Sequence, residues 1–294
     1  MKFFQLNFAK RYFLLLGCFI LLRLQTIYGD TDPFVTIAIL AKDKAHTLPL
    51  YLLCIENQTW PKEQTFLYIR SNNNNDNSVE ILRDWVEKTG HLYAGIAFDD
   101  SDVPEPVQNY RQHEWNATRF KVLGKIRQES VNWAKNHNSH YLVVDCDNFI
   151  RPNTLEALLK TNLPIIAPLL KKGDTSNYAN YHAQIDQNGY LASSPFYFPI
   201  LYQQIRGLIE LPVVHCTYFI RHDVLDKIIY DDESFRYEYV IFSDNARKKS
   251  IPQYLDNREI YGRITFAENK EELENEIWLH EFSSLETVTK SGEL

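Results

Sequence analysis

The sequence predicts an α/β fold: a single domain with a mostly parallel central sheet and helices on both faces. Three observations predict it. Over the first half, apolar runs alternate with helical stretches in the order β-α-β-α-β-α-β, the order of a parallel sheet joined by crossover helices. The runs Phe34 to Ala41 (FVTIAILA) and Tyr141 to Val144 are continuously apolar and rich in β-branched residues, as strands covered on both faces are. The chain of 294 residues is 45% apolar and 23% charged, which suits a packed core rather than disorder.

Each element follows in order. Lys2, Lys10 and Arg11 precede an apolar run from Tyr12 to Leu22 that Arg23 closes. That is the pattern of a signal peptide over residues 1–29, or of a signal anchor, with 30–294 left as the domain. After the first strand, Thr47 to Glu56 reads as a helix that ends before Pro61. A strand over Thr65 to Ile69 runs into the polar stretch Ser71 to Ser78, whose Asn and Asp residues tolerate tight turns. A helix from Val79 to Lys88 and a short strand from Gly95 to Phe98 come next, then a loop over Asp99 to Glu114. Phe120, Leu123, Ile126, Ser130, Trp133 and Ala134 recur at spacings of three and four, one face of a long helix. It leads into the strand Tyr141 to Val144, which ends in Asp145-Cys146-Asp147-Asn148.

The second half is more mixed. The pattern predicts a short strand at Ile165 to Ala167, a hairpin within Tyr178 to Phe198 turning near Asn188-Gly189, and a strand over Pro212 to Ile220. Helices are expected at His222 to Tyr230, at Glu238 to Lys249, and, amphipathic, at Glu268 to His280.

Composition excludes several function classes. A net charge of -7 with no clustered Lys and Arg argues against nucleic acid as a partner. The chain has no G-x-x-x-x-G-K, no G-x-G-x-x-G and no G-x-S-x-G, which removes support for P-loop, dinucleotide and serine-hydrolase readings. Beyond Cys18 in the leader, Cys54, Cys146 and Cys216 are odd in number and widely spaced, neither a disulfide framework nor a zinc pattern. The sequons Asn57-Gln58-Thr59 and Asn116-Ala117-Thr118 are compatible with a secretory compartment.

The chemistry points to Asp145-x-Asp147. In parallel α/β sheets ligands bind beyond the carboxyl ends of the strands, and both Asn72 to Asn77 and Asp145 to Asn148 fall at that edge. Two carboxylates one residue apart share a divalent cation, with water or phosphate oxygens completing its shell. Without a cation, each acid and a phosphate charge about 4 Å away repel by about 4 kcal/mol at an effective dielectric near 20. The plainer alternative is a turn whose acids cap the helix beginning near Asn153. Candidates for a third ligand are His215, inside an apolar strand and equally readable as a core residue, and His280, equally readable as a surface residue.

Several ordered segments carry a family resemblance. They are VTIAILAKDKAHTLP at 35–49, NNDNSVEILRDW at 74–85, KIRQESVNWA at 125–134, HYLVVDCDNFIRPNTL at 140–155, LPVVHCTYFI at 211–220 and NREIYG at 257–262. In these the chain resembles glycosyltransferase family 25, the procollagen galactosyltransferase group that includes the cerebral endothelial cell adhesion molecule. The resemblance implies a GT-A fold, a UDP-sugar donor, Mn²⁺, and transfer of galactose to hydroxylysine of collagen-like protein in the endoplasmic reticulum lumen or a secreted form. It implies Asp145, Asp147 and His280 as metal ligands, with His280 preferred over His215. It further implies Asn74, Asp76, Asn77 and Arg127 at the donor. Asn72 stands where the family has Asp, and Tyr237-Glu238 replaces an acidic pair, so Glu238 is the expected general base and Asp244 the alternative. Two other outcomes follow from the same resemblance: an inactive member acting in adhesion or as a scaffold, and a transferase acting on a glycan acceptor; membrane attachment is expected only where the N-terminal apolar segment is an uncleaved anchor.

Overall fold

Strand β1, Val35–Ala41, is buried at every position but Leu40 because strands pair on both of its edges. The computed structural model describes residues 33–111 and 114–285, so the leader expected over 1–29 lies outside the described residues. After β1 come helix α1 (Leu48–Glu56), β2 (Thr65–Ser71), α2 (Ser78–Thr89), β3 (Gly95–Asp99), α3 (Ala117–Asn136) and β4 (His140–Val144). This is the alternation read from the sequence. Asn116 starts α3 by accepting a hydrogen bond from the Arg119 backbone N–H at 3.1 Å, the usual role of an Asn before a first turn.

The second half adds β5 (Asn148–Ile150), α4 (Thr154–Leu159), β6 (Ile165–Pro168), β7 (Leu170–Lys171) and β8 (Tyr181–His182). Then follow α5 (Tyr197–Leu201), β9 (Leu208–Glu210), β10 (Val213–Val214), β11 (Thr217–Ile220), α6 (Glu238–Lys248), β12 (Gln253–Asp256), β13 (Gly262–Ile264) and α7 (Lys270–Glu274).

The main sheet has eight strands in the order β3-β2-β1-β4-β11-β6-β12-β9. Its first four strands are mutually parallel. Strand β11 enters from the rim where β4 ends, pairing Thr217 with Val144 and Ile220 with Tyr141, and so must run antiparallel to it. The fold is therefore α/β and GT-A-like, with a mixed, mostly parallel sheet.

Side-chain alternation along each strand divides the core in two. Val35, Ile37 and Ile39 of β1, with Leu142 and Val144 of β4, pack under α1 and α2. Ala38, Tyr141 and Val143 face the other way, toward α3 and α6. Each fully buried Leu or Ile on these faces contributes about 1.5–3 kcal/mol relative to exposure. Gly262 is required where β13 crosses β5, since a Cβ there would collide with the Phe149 carbonyl.

Four expected elements take different forms. The strand over 212–220 is broken into β10 and β11 by Cys216, whose φ of 64° places it in the left-handed region. The expected hairpin within 178–198 shrinks to a single Ile185–Leu191 bridge around Gly189, followed by α5. The helix expected from His222 is a 3-10 segment, His222–Lys227. The closing amphipathic helix is interrupted at Glu276, whose extended backbone separates α7 from a 3-10 turn at Ile277–Phe282. Among the described residues no helix is long and apolar enough to cross a membrane.

Candidate functional site

The loops that follow β1 and β2 at the carboxyl rim are stitched together by side chains. Asn74 accepts the Asp43 N–H at 2.9 Å, Asp76 accepts the Ala45 N–H at 2.9 Å, and Ser78 Oγ accepts the Lys44 N–H at 2.8 Å. Asp76 also accepts the Ser78 N–H at 3.0 Å at the start of α2. Asn74 and Asp76, expected at the donor, thus bond to the protein's own backbone and fix residues 43–45. Asn77 occupies the N-cap position of α2 without a side-chain capping bond.

Strand β4 delivers the acidic pair. The Asp145 N–H donates to the Cys216 carbonyl at 3.1 Å, the Asn148 N–H donates back to the Asp145 carbonyl at 2.8 Å, and the Thr265 N–H donates to the Asp147 carbonyl at 2.9 Å. This turn buries Cys146, whose thiol donates to the Leu40 carbonyl at 3.4 Å. Both flanking carboxylates line one cavity of about 150 Å³. Its floor is the small apolar cluster Val107, Val122 and Ile126, and its walls include Lys44, Asn72, Trp115, Arg119 and Arg127.

Each carboxylate carries its own cation. Arg127 Nη2 donates to Asp145 Oδ1 at 2.6 Å, and Lys44 Nζ donates to Asp147 Oδ2 at 2.8 Å. Burial raises the Asp145 carboxyl pKa, Arg127 opposes the rise, and the like charge of Asp147 adds to it. Burial alone would lower the Arg127 pKa, but Asp145, and behind it Glu238, hold it well above the ordinary value. Lys44 behaves likewise: burial lowers, Asp147 raises, and the net shift is upward. Arg127 is only 2% exposed, and its Nε and Nη1 have no hydrogen-bond partner. A guanidinium on a cavity wall holds a permanent positive charge that suits an incoming anion.

The pair also fits a divalent cation. Each carboxylate commits one oxygen to its cation, which leaves Asp145 Oδ2 and Asp147 Oδ1 as hard oxygen donors of the kind Mn²⁺ and Mg²⁺ take. Among the described residues no group of three His, Cys, Asp or Glu side chains gathers for a metal. His280 is not brought to the pair. It is exposed on the 3-10 turn, and its Nδ1 lies 2.7 Å from the Ile277 carbonyl. His215 is buried, with Nδ1 2.9 Å from Cys216 Sγ, and burial holds its imidazole neutral.

The two expected bases lie outside the cavity lining. Glu238 is 4% exposed, with Oε1 3.4 Å from Arg127 Nε, and burial raises its carboxyl pKa against the pull of Arg127. Asp244 pairs with Lys248 at 2.9 Å, Arg236 at 3.0 Å and Arg247 at 3.5 Å. Burial would raise its pKa, but Lys248 and Arg236 bring it below the ordinary value. A carboxyl depressed on folding stabilises the fold above its unfolded pKa of about 3.9, and that gain is lost as pH falls through the lower folded value. Asp244→Asn is therefore expected to cost about 1 kcal/mol at pH 7. Thermal melts should show the deficit closing below about pH 4.

Lys44, Trp115 and Arg119 were not singled out from the sequence. Trp115 stacks on Phe120 with centroids 5.3 Å apart and lies under the Arg119 guanidinium at 4.4 Å. Lys44 stands inside the 35–49 segment quoted above, three residues past the end of β1. A basic residue in the loop at a strand's carboxyl end was the available signal.

Comparison with known proteins adds the following. Residues 32–280 match the family described as "Glycosyltransferase family 25, N-terminal domain". Human "Procollagen galactosyltransferase 2" is 32% identical over 244 residues, covering 79% of this chain and 38% of that protein. Danio rerio "Procollagen galactosyltransferase 1" is 28% identical over 272 residues, covering 88% and 44%. Human "Inactive glycosyltransferase 25 family member 3" is 28% identical over 241 residues, covering 78% and 40%. The chain spans about two-fifths of the length of these relatives. Staphylococcus aureus TarS 1-349, solved in complex with UDP-GlcNAc, shares the fold at TM-score 0.51 and 14% identity, covering 82% of this chain and 61% of that one.

Proposed function

Because the chain belongs to glycosyltransferase family 25, we propose that it moves a hexose, galactose first among them, from a UDP-sugar to a hydroxyl acceptor, with Mn²⁺ held by Asp145 and Asp147. The observation that carries this reading is the pair of carboxylates sharing one cavity wall with Lys44 and Arg127 at the sheet's carboxyl rim. When bound, the cation supplies Lewis-acid stabilisation of the leaving diphosphate. The chain's own groups do the rest. Arg127, on the cavity wall, brings its fixed guanidinium charge toward the phosphates, and Lys44, lining the same cavity, is a second phosphate partner. Trp115 and the apolar floor provide a face for the nucleobase.

In this reading Asn74 and Asp76 hold the Lys44 loop, Glu238 positions Arg127, and Asp244 anchors α6; His280 is not a ligand. The acceptor follows from the relatives named as procollagen galactosyltransferases: hydroxylysine of a collagen-like protein, met in the secretory pathway. The test is UDP release from UDP-galactose and UDP-glucose with a hydroxylysine peptide. EDTA should lower the rate at least ten-fold and Mn²⁺ should restore it. Release that survives EDTA would remove the metal from this account.

A second reading is binding without turnover. It is favoured by the two expected bases lying outside the cavity lining and by the inactive human relative. Calorimetric binding of UDP with Mn²⁺, combined with no UDP release from either donor, would establish it.

A further inference from the structure

Lys44 has a consequence for how the metal enters. Its Nζ sits 2.8 Å from Asp147 Oδ2, and both side chains are largely shielded, at 15% and 25% exposure. The contact is built in by its surroundings. The Lys44 N–H is held by Ser78 Oγ, and its carbonyl accepts the Thr47 and Leu48 N–H groups at the start of α1. Its neighbours Asp43 and Ala45 are pinned by Asn74 and Asp76. Meanwhile Arg127 holds Asp145 from the other side.

A dication arriving alone therefore meets two carboxylates that already have cations in hydrogen-bond contact. It must settle beside an ammonium and a guanidinium or displace one of them, and like charges at such distances repel. Arg127 is 2% exposed and also backed by Glu238, so it has little room to leave. Lys44 ends in a flexible four-carbon stem. A diphosphate changes the balance, because its oxygens take over the ammonium that Asp147 gives up.

We infer that Lys44 competes with the divalent cation for Asp147, so that the cation binds tightly only together with a nucleotide diphosphate. Lys44 is thus a positioning residue that couples the two ligands. The inference rests on the function proposed above, and the test separates the two.

Mn²⁺ affinity is measured by electron paramagnetic resonance of the free ion, with and without saturating UDP, in the intact protein. For the wild type, UDP should tighten Mn²⁺ binding at least ten-fold. Lys44→Met should bind Mn²⁺ at least ten-fold more tightly than wild type in the absence of UDP, and UDP should then add less than three-fold. Lys44→Arg, which keeps the charge, should behave like wild type. Lys44→Gln guards against a poorly folded Met variant and should follow Lys44→Met. Equal Mn²⁺ affinity without UDP in all four proteins overturns the coupling while leaving the metal site standing. Mn²⁺ binding in none of them, with circular dichroism showing folded protein, overturns both the coupling and the metal site it rests on.

Discussion

Asp147→Ala is expected to lower UDP release from a UDP-sugar by about 10²–10³-fold while leaving the fold in place, comparable to removing one well-placed charge-stabilising group from an active site. Asp147 supplies one of the two carboxylates at the cavity, and no third acidic or histidine side chain joins them among the described residues. One carboxylate alone holds a hard divalent cation weakly, since such ions gain from several oxygen ligands at once. The same substitution frees Lys44, which is paired to Asp147 at 2.8 Å. Lys44 keeps a flexible stem with which to find another partner, so the stability cost should be below that of losing Arg127, about 1–3 kcal/mol. Initial rates across a Mn²⁺ titration, with a thermal melt on the same sample, check both parts. A rate within three-fold of wild type would take the acidic pair out of the chemistry.

The second large effect is on stability. Arg127→Met is expected to cost about 3–5 kcal/mol, the range for removing one partner from a buried ion pair. The guanidinium lies between Asp145 and Glu238, with contacts of 2.6 Å and 3.4 Å. Methionine fills much of the volume but leaves the buried Glu238 and the partly shielded Asp145 without the guanidinium that lay between them. Their pKa values are already raised by burial and are restrained by Arg127, so its loss lets them rise further. Carboxyls whose folded pKa exceeds the unfolded value destabilise the fold as pH climbs above about 4, so the deficit should be largest at pH 7 and shrink toward pH 5. Chemical denaturation of the variant at both pH values measures this directly. Adding Glu238→Gln should recover part of the loss at pH 7. An unchanged midpoint in Arg127→Met would show that the ion triad contributes little.

Much of the framework was legible along the chain because its causes are local. Continuous apolar runs such as 35–41 and 141–144 can be satisfied only by strands covered on both faces, and the intervening helical spacing leaves few topologies beyond a parallel sheet. The place of Asp145 and Asp147 at the sheet's carboxyl rim was readable for the same reason. A strand that ends at Val144 must place the next residues at the sheet's carboxyl rim.

Charge partners and chain breaks were settled by the tertiary structure alone. Nothing in residue type ties Lys44 to Asp147 across 103 positions, or directs Asn74 and Asp76 to the backbone of 43–45. His280 was placed on a closing helix, yet an extended residue at Glu276 ends that helix early and leaves the imidazole in solvent. Cys216 interrupts an apolar run because its carbonyl receives the Asp145 N–H, a demand visible only once β4 and β11 lie side by side. Periodicity records which face of an element is buried. Electrostatic and hydrogen-bond energies vary over a few ångströms between elements, and those separations exist only after the sheet has closed.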